Sequence, residues 1–144
     1  MNFSLREALP YLRCPADGSA LRIVGDRLET QRGASYPIVD GIADLTVEGH
    51  GREHAASDYD AIAGLRYNLF IFNPLMMAFT WGAGALKVPV LMSPQRELGE
   101  GVFLDVPCGT GIFTTRAYRA SRRSRVIAVD FSMGMLRAAK RRER

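Results

Sequence analysis

The stretch VFLDVPCGTGIFT, residues 102–114, decides the fold of this chain. Its apolar run, 102–106, contains one acidic residue, Asp105, and is typical of a buried parallel strand. The glycines that follow permit a tight turn into a helix. Gly109 and Gly111 have no Cβ and therefore let the backbone approach a ligand closely, while the next helix offers unpaired amides at its N-terminus.

A second apolar run, RVIAVD at residues 125–130, also ends in an acidic residue. The two runs predict a βαβ unit, with Asp130 about twenty residues after the glycine loop, where a carboxylate meets a ribose diol. Ser132 is expected to cap a helix that begins at Met133. The simpler interpretation of Asp130, a cap for that same helix, stays open.

The two strand-end motifs together identify a protein family more specifically than a glycine loop alone. LDVPCGTG (104–111) and VIAVDFSMGML (126–136) resemble motif I and the acidic motif that follows it in class I S-adenosylmethionine-dependent methyltransferases, close to the UbiE and "methyltransferase type 11" branch. The usual forms there are "LD.GCGTG" and "..G.D.S..ML..A". The resemblance covers residues 102–139, and Pro107 stands where glycine or alanine is more usual.

This resemblance implies an α/β fold, with an incomplete Rossmann-like class I methyltransferase core preceded by a small β module and a helical lid. It also implies S-adenosylmethionine as cofactor, with Asp105 near its methionine amino group and Asp130 on its ribose hydroxyls. Phe131 and Met135 would flank the adenine. The full expected cofactor site is Tyr59, Asp105, Pro107, Cys108, Gly109, Gly111, Asp130, Phe131, Ser132 and Met135. The resemblance makes Cys108 a packing residue rather than a nucleophile, and no catalytic residue is identified.

Residues 1–48 are predicted to form a separate small β module. Short apolar runs separated by Asp17-Gly18, Gly25-Asp26 and Asp40-Gly41 predict short strands and turns over residues 11–45. The layout resembles the Trm112-like, zinc-ribbon-related segment that precedes some bacterial methyltransferases, and the ending YPIVDGI at 36–42 is present. The metal ligands are missing, because Cys14 has no second thiolate in its knuckle and residues 31–33 are Gln, Arg and Gly. A closed zinc site needs four ligands, so we expect no metal.

Residues 49–57 are interpreted as a linker, and residues 58–144 as the N-terminal part of the methyltransferase domain. His50 and His54 in the linker have the spacing of a helical metal pair, but the glycines around them favour solvated side chains. Apolar positions recur every three or four residues from 58 to 98, which predicts helices. The segment around Tyr59 resembles the lid helix of this branch. The cluster around Met76 and Trp81 is either core or a pocket for an apolar substrate.

The chain has 144 residues with 19 Lys and Arg, 15 Asp and Glu and 47% hydrophobic residues, which excludes a disordered or coiled-coil protein. Ten of the basic residues lie between Arg116 and Arg144. They lack interleaved aromatics, so solvated helix faces are favoured over nucleic-acid binding. The apolar stretch 69–92 is interrupted by Asn, Lys and Pro, so no membrane span is expected. With no secretory signal and only two cysteines, a cytoplasmic location is expected.

A class I sheet has about seven strands, and two are recognisable here. We therefore expect an N-terminal portion of a methyltransferase, inactive by itself, whose sheet is completed by further sequence, a partner or a second copy. The methyl acceptor is expected to be a small molecule. Two alternatives stay open: a noncatalytic methyltransferase-like relic or regulatory subunit that acts through protein association, and a nucleic-acid-binding protein that uses the basic tail.

Elemental analysis of the dialysed chain tests the metal-free interpretation. Because Cys14 and Cys108 lie far apart in sequence and three ligands are missing around Cys14, we expect well below one zinc ion per chain. Cys14→Ser should leave the zinc content unchanged. One stoichiometric zinc ion per chain, lost in that variant, would contradict the interpretation.

Overall fold

A computed structural model describes residues 4–47, 73, 75–76, 79, 100–112, 114–120 and 124–143, and the structural statements below refer to these residues. The chain divides into two compact units, Asn2–His54 and Ala55–Arg144, the latter together with Met1. The linker histidines, the lid helix with Tyr59, and Trp81 lie outside the described residues, so their predictions stay predictions.

A short helix, α1 (Leu5–Ala8), opens the first unit and continues into a 3-10 turn, Leu9–Tyr11. Ser4 and Glu7 form a capping box: the Ser4 amide donates to Glu7 Oε2 at 2.7 Å, and the Glu7 amide donates to Ser4 Oγ at 3.4 Å. These two bonds satisfy amides that the first helical turn leaves unpaired. The sequence analysis did not predict this helix, although the Ser-x-x-Glu spacing is its recognised signal.

Four antiparallel strands follow in the order β1 (Arg22–Val24), β2 (Arg27–Glu29), β3 (Ser35–Val39) and β4 (Ile42–Ala43). The β3–β4 turn has both central residues at positive φ, Asp40 at 54° and Gly41 at 71°. Such a two-residue turn matches the right-handed twist of a hairpin, which is why Asp-Gly is favoured there. The strands and turns predicted for this module are therefore confirmed.

The core of this unit is small and closes around Leu28, which has no exposed surface. Leu21, Cys14 and Tyr36 are buried with it. The Cys14 Sγ and the Tyr36 hydroxyl lie 3.2 Å apart. That hydrogen bond, together with burial of the ring hydroxyl, raises the pKa of Tyr36. Cys14 is therefore a packed core residue with a polar partner.

The turn after Cys14 is held by polar contacts. Asp17 accepts hydrogen bonds from the Ser19 amide at 3.0 Å and the Ser19 hydroxyl at 2.6 Å, and Arg32 Nη1 lies 3.2 Å from its other oxygen. The bonds from Ser19, more than the charge of Arg32, keep the pKa of Asp17 well below its ordinary value. Within the described residues, no group of three His, Cys, Asp or Glu side chains is placed to hold a metal ion.

The second unit contains two parallel strands, β5 (Gly101–Asp105) and β6 (Ser124–Ala128). Helix α2 (Thr115–Ala120) lies between them in sequence, and α3 (Met133–Glu143) follows β6. Each strand begins one residue before the predicted run. The βαβ order and the helix start at Met133 are as predicted. None of the helices that the structure describes is long and apolar enough to cross a membrane.

One face of the β5–β6 pair differs from the buried strand that its composition predicts. Side chains alternate between the two faces of a strand. Val126 is buried on one face, whereas Leu104 on the other face is 68% exposed, and Val129 and Val106 are also exposed. The apolar run therefore predicted where the strand lies in the sequence. It did not predict which face of the strand is buried.

Two substitutions in the first unit test its core. Leu28→Ala removes a side chain with no exposed surface, so we expect the free energy of unfolding to fall by about 2–5 kcal/mol. Val24→Ala, on the neighbouring strand and exposed, should change it by about 0.5 kcal/mol or less. Urea unfolding followed by far-ultraviolet circular dichroism measures both. Equal effects would mean that the core does not centre on Leu28.

Candidate functional site

The candidate site lies where the carboxyl ends of β5 and β6 meet. Backbone hydrogen bonds continue past both strands: the Val129 amide donates to the Asp105 carbonyl and the Cys108 amide donates to the Val129 carbonyl, each at 2.9 Å. These bonds keep the two backbone segments in register beyond the ends of β5 and β6. Asp105 and Asp130 are thereby brought to the same edge, as expected for residues at the carboxyl ends of parallel strands.

Two glycines shape the loop between β5 and α2. Gly109 has φ 55° and Gly111 has φ 66°, both in the left-handed region that favours glycine. Their surroundings differ. A Cβ on Gly111 would lie 2.7 Å from Thr115 Oγ1 and 3.2 Å from the Ala139 Cβ, whereas a Cβ on Gly109 would meet none of the described residues within 4 Å. Gly111 therefore allows close packing within the protein, and Gly109 borders open space.

Asp130 ties this loop to the start of α3. Its Oδ2 accepts from the Gly109 amide at 2.8 Å, and its Oδ1 accepts from the Ser132 amide at 2.9 Å. The helix cap is a different residue, because the Met135 amide donates to Ser132 Oγ at 3.2 Å. The predicted cap at Ser132 is confirmed. A carboxylate has about four acceptor positions, so Asp130 keeps capacity for hydroxyl donors of a ligand.

Asp105 has an unsatisfied oxygen. Its Oδ2 is buried and has no hydrogen-bond partner among the described residues. Burial of the Tyr118 hydroxyl on α2, and after it the Asp105 carboxylate, raise the pKa of Tyr118.

The other predicted site residues differ in their solvent exposure. Cys108, Ser132 and Met135 are buried, whereas Pro107 and Phe131 are exposed at the same edge as the loop. The Val106–Pro107 peptide is cis. Cys108 matches its interpretation as a packing residue. Met135 is 4% exposed, so Phe131 is the more accessible of the two side chains expected to flank an adenine.

The described residues fit the cofactor that the resemblance implies. An ammonium group needs an acceptor, and Asp105 Oδ2 is a buried acceptor that has no partner in the part of the chain that the structure describes. A ribose diol needs a carboxylate with free lone pairs, and Asp130 accepts two hydrogen bonds from the described residues, which leaves it further acceptor positions toward them. A close approach to the backbone needs space, which Gly109 borders.

One comparison with known proteins bears on the same segment. The family model described as a methyltransferase domain matches residues 103–144, from β5 to the end of α3. This match supports an S-adenosylmethionine-dependent methyltransferase in general terms. No curated protein matches the chain.

The two loop glycines form a matched pair for a stability test. Both alanine variants place a side chain at positive φ, which costs about 1–2 kcal/mol. Gly111→Ala adds a clash with Thr115 and Ala139, so we expect it to lower the free energy of unfolding by about 1–3 kcal/mol more than Gly109→Ala. Urea unfolding measures the difference. Equal losses would show that Gly111 is not closely packed.

Proposed function

We propose that this chain supplies the cofactor-binding residues of an S-adenosylmethionine-dependent methyltransferase of the UbiE and methyltransferase type 11 branch, an enzyme that acts on a small-molecule acceptor. The observation that carries the proposal is the pair of strand-end carboxylates, Asp105 and Asp130, on either side of the loop that contains Gly109. Asp130 already bonds that loop at 2.8 Å, so both acceptors and the backbone between them are held as one unit. The first unit is proposed to correspond to the metal-free, zinc-ribbon-related segment described above.

Each residue of the site has a separate binding task. Asp105 balances the positive charge of an amino group, and its burial strengthens that interaction because less water screens it. Asp130 accepts hydrogen bonds from the two ribose hydroxyls, which are strengthened by its negative charge. Gly109 leaves room for a ligand beside its backbone among the described residues, and Phe131 offers an exposed ring for an adenine.

The cofactor supplies a methyl group already activated by its sulfonium. The chain therefore needs no covalent nucleophile of its own, and its residues bind, orient and exclude water. The burial of Cys108 is consistent with a packing role for this thiol rather than a nucleophilic one.

A second candidate function is protein association without catalysis. The exposed apolar side chains of Leu104, Val106 and Val129 on one face of the β5–β6 pair favour it, since such a face is covered when a second copy of the chain packs against it. Cofactor affinity separates the two candidates. A chain that only associates has none, whereas a methyltransferase binds S-adenosylhomocysteine through the residues named above.

Substitution of Asp130 tests the proposal. We expect Asp130→Asn to weaken S-adenosylhomocysteine binding by about 2 kcal/mol, or roughly thirtyfold, the scale of lost charge-assisted hydrogen bonds. Binding of a 2′,3′-dideoxy analogue should change little, because that ligand has no ribose hydroxyls to lose. Isothermal titration calorimetry measures both ligands. Asp26→Asn, an exposed carboxylate in the first unit, is the matched control and should leave both affinities unchanged.

Three results would count against it. If the wild-type chain does not bind S-adenosylhomocysteine at millimolar concentration, the proposed function is wrong. If Asp130→Asn binds that ligand as tightly as wild type does, Asp130 only holds the loop and the turn before α3. An equal loss for both ligands would assign the effect to loop geometry rather than to ribose recognition.

A further inference from the structure

The glycine loop after β5 is held by the segment 130–143 at two places. The first is the bond from the Gly109 amide to Asp130 Oδ2, at 2.8 Å. The second is a close approach of α3: the position that a Cβ of Gly111 would take lies 3.2 Å from the Ala139 Cβ and 3.5 Å from the Ala139 Cα. Since one covalent bond separates that position from the Gly111 Cα, the loop and the helix backbone are nearly in contact.

Helix α2 holds Gly111 from a different direction. The Thr115 amide donates to the Gly111 carbonyl at 2.9 Å, and the Thr115 hydroxyl donates to the same oxygen at 2.5 Å. Thr115 is 8% exposed and Ala139 is 7% exposed, so both contacts are inside the second unit. Close-packed interiors transmit displacements instead of absorbing them. A larger side chain at position 139 must therefore push α3 away from the loop.

The start of α3 connects this contact to Asp130. The Ser132 amide donates to Asp130 Oδ1 at 2.9 Å, and Ser132 accepts from the Met135 amide through its hydroxyl and from the Leu136 amide through its carbonyl. These bonds join Asp130 to the first turn of the helix. Ala139 follows Met135 by four residues, about one turn along the same helix. A shift of α3 at Ala139 therefore reaches the carboxylate.

We propose that Ala139 is a positioning residue for the ribose end of the cofactor: its small side chain sets how closely α3 approaches Gly111, and thereby keeps the Asp130 carboxylate within reach of the Gly109 amide and the ribose hydroxyls. This inference rests on the proposed function. In this arrangement Ala139 acts through Asp130 and does not itself contact the cofactor.

The alternative role of Ala139 is packing alone, and the adjacent alanine provides a matched control. Ala138 and Ala139 are both 7% exposed, and their side chains leave the helix about 100° apart. The atoms nearest to the Gly111 Cβ position belong to Thr115 and Ala139. Valine at either position overpacks the second unit and adds the same β-branched residue to α3. A packing role therefore predicts the same outcome for both variants.

Ligand affinity separates the two roles. We expect Ala139→Val to weaken S-adenosylhomocysteine binding about tenfold, the scale of a hydrogen bond lost to a charged group, and Ala138→Val to weaken it less than about twofold. The 2′,3′-dideoxy analogue should lose less than about twofold with either variant, because it has no hydroxyls for Asp130 to bind. Ala139→Ser keeps the side chain small and should retain wild-type affinity for both ligands. Isothermal titration calorimetry measures each loss relative to wild type with the same ligand.

A double-mutant cycle tests whether Ala139 acts through Asp130. If it does, the combined Asp130→Asn and Ala139→Val variant should lose no more S-adenosylhomocysteine affinity than Asp130→Asn alone, because residues that act as a unit are non-additive. Fully additive losses would overturn the inference.

Amide exchange in the ligand-free chain gives a second readout. If Ala139→Val draws Asp130 away from the loop, exchange of the Gly109 amide should become about tenfold faster, whereas Ala138→Val should change it less than about twofold. The Val129 amide, which is bonded across the strand ends, reports general loosening and should respond alike in both variants. Nuclear magnetic resonance measures these rates. Equal acceleration at Gly109 in both variants would mean that Ala139 has no special place beside the loop.

The outcomes separate this inference from the proposed function. If the wild-type chain binds neither ligand, the proposed function fails and the inference fails with it. If the wild-type chain binds and Ala139→Val loses nothing, or Ala138→Val loses as much, the positioning role is wrong and the proposed function stands. Should Ala139→Val fail to fold, Ala139→Cys, which adds a single heavy atom, replaces it. A selective loss of S-adenosylhomocysteine affinity then supports the inference, and unchanged or equally reduced affinities overturn it.

Discussion

The carboxylate of Asp130 is the constraint on which the site depends. One of its oxygens fixes the Gly109 amide and the other fixes the Ser132 amide, so one side chain joins the loop after β5 to the turn before α3. Hydrogen bonds to an ionised acceptor are shorter and stronger than neutral ones. The bond is possible because the parallel register of β5 and β6 extends past the strands through Val129, which brings Asp130 beside the loop.

This arrangement gives Asp130 two tasks at once. The carboxylate that is proposed to bind a ribose also supports the backbone on which the ligand would lie, so loop conformation and ligand affinity are coupled. The positive φ of Gly109 is part of the same constraint, because its amide donates to Asp130 in this conformation. The position that a Cβ of Gly109 would take stays open among the described residues. Gly111 serves a different need, since its missing Cβ lets α3 approach through Ala139. Glycine is therefore needed at these two positions of one motif for different physical reasons.

The parts of the fold that depend on local patterns could be predicted from the sequence. Apolar runs predicted the start of both strands to within one residue, Asp40-Gly41 predicted a turn, and Ser132 was predicted as a helix cap. What could not be predicted depends on contacts between distant residues. Exposure of Leu104 depends on which elements cover a face of the sheet. Burial of Tyr118 depends on how α2 packs, which no periodicity in a helix of six residues specifies.

In the first unit, too, composition predicts one feature, whereas contacts between residues distant in sequence determine another. Missing thiolates are sufficient to argue against zinc, but they do not reveal what holds the turn after Cys14. In the structure, Ser19 and Arg32 bond Asp17 on the surface, and the Tyr36 hydroxyl meets the Cys14 sulfur inside. The surface ion pair is exposed and therefore contributes little by itself. Burial of Leu28 and the contact between Cys14 and Tyr36 must stabilise this small sheet, because a core that excludes water strengthens both the apolar packing and the hydrogen bond within it.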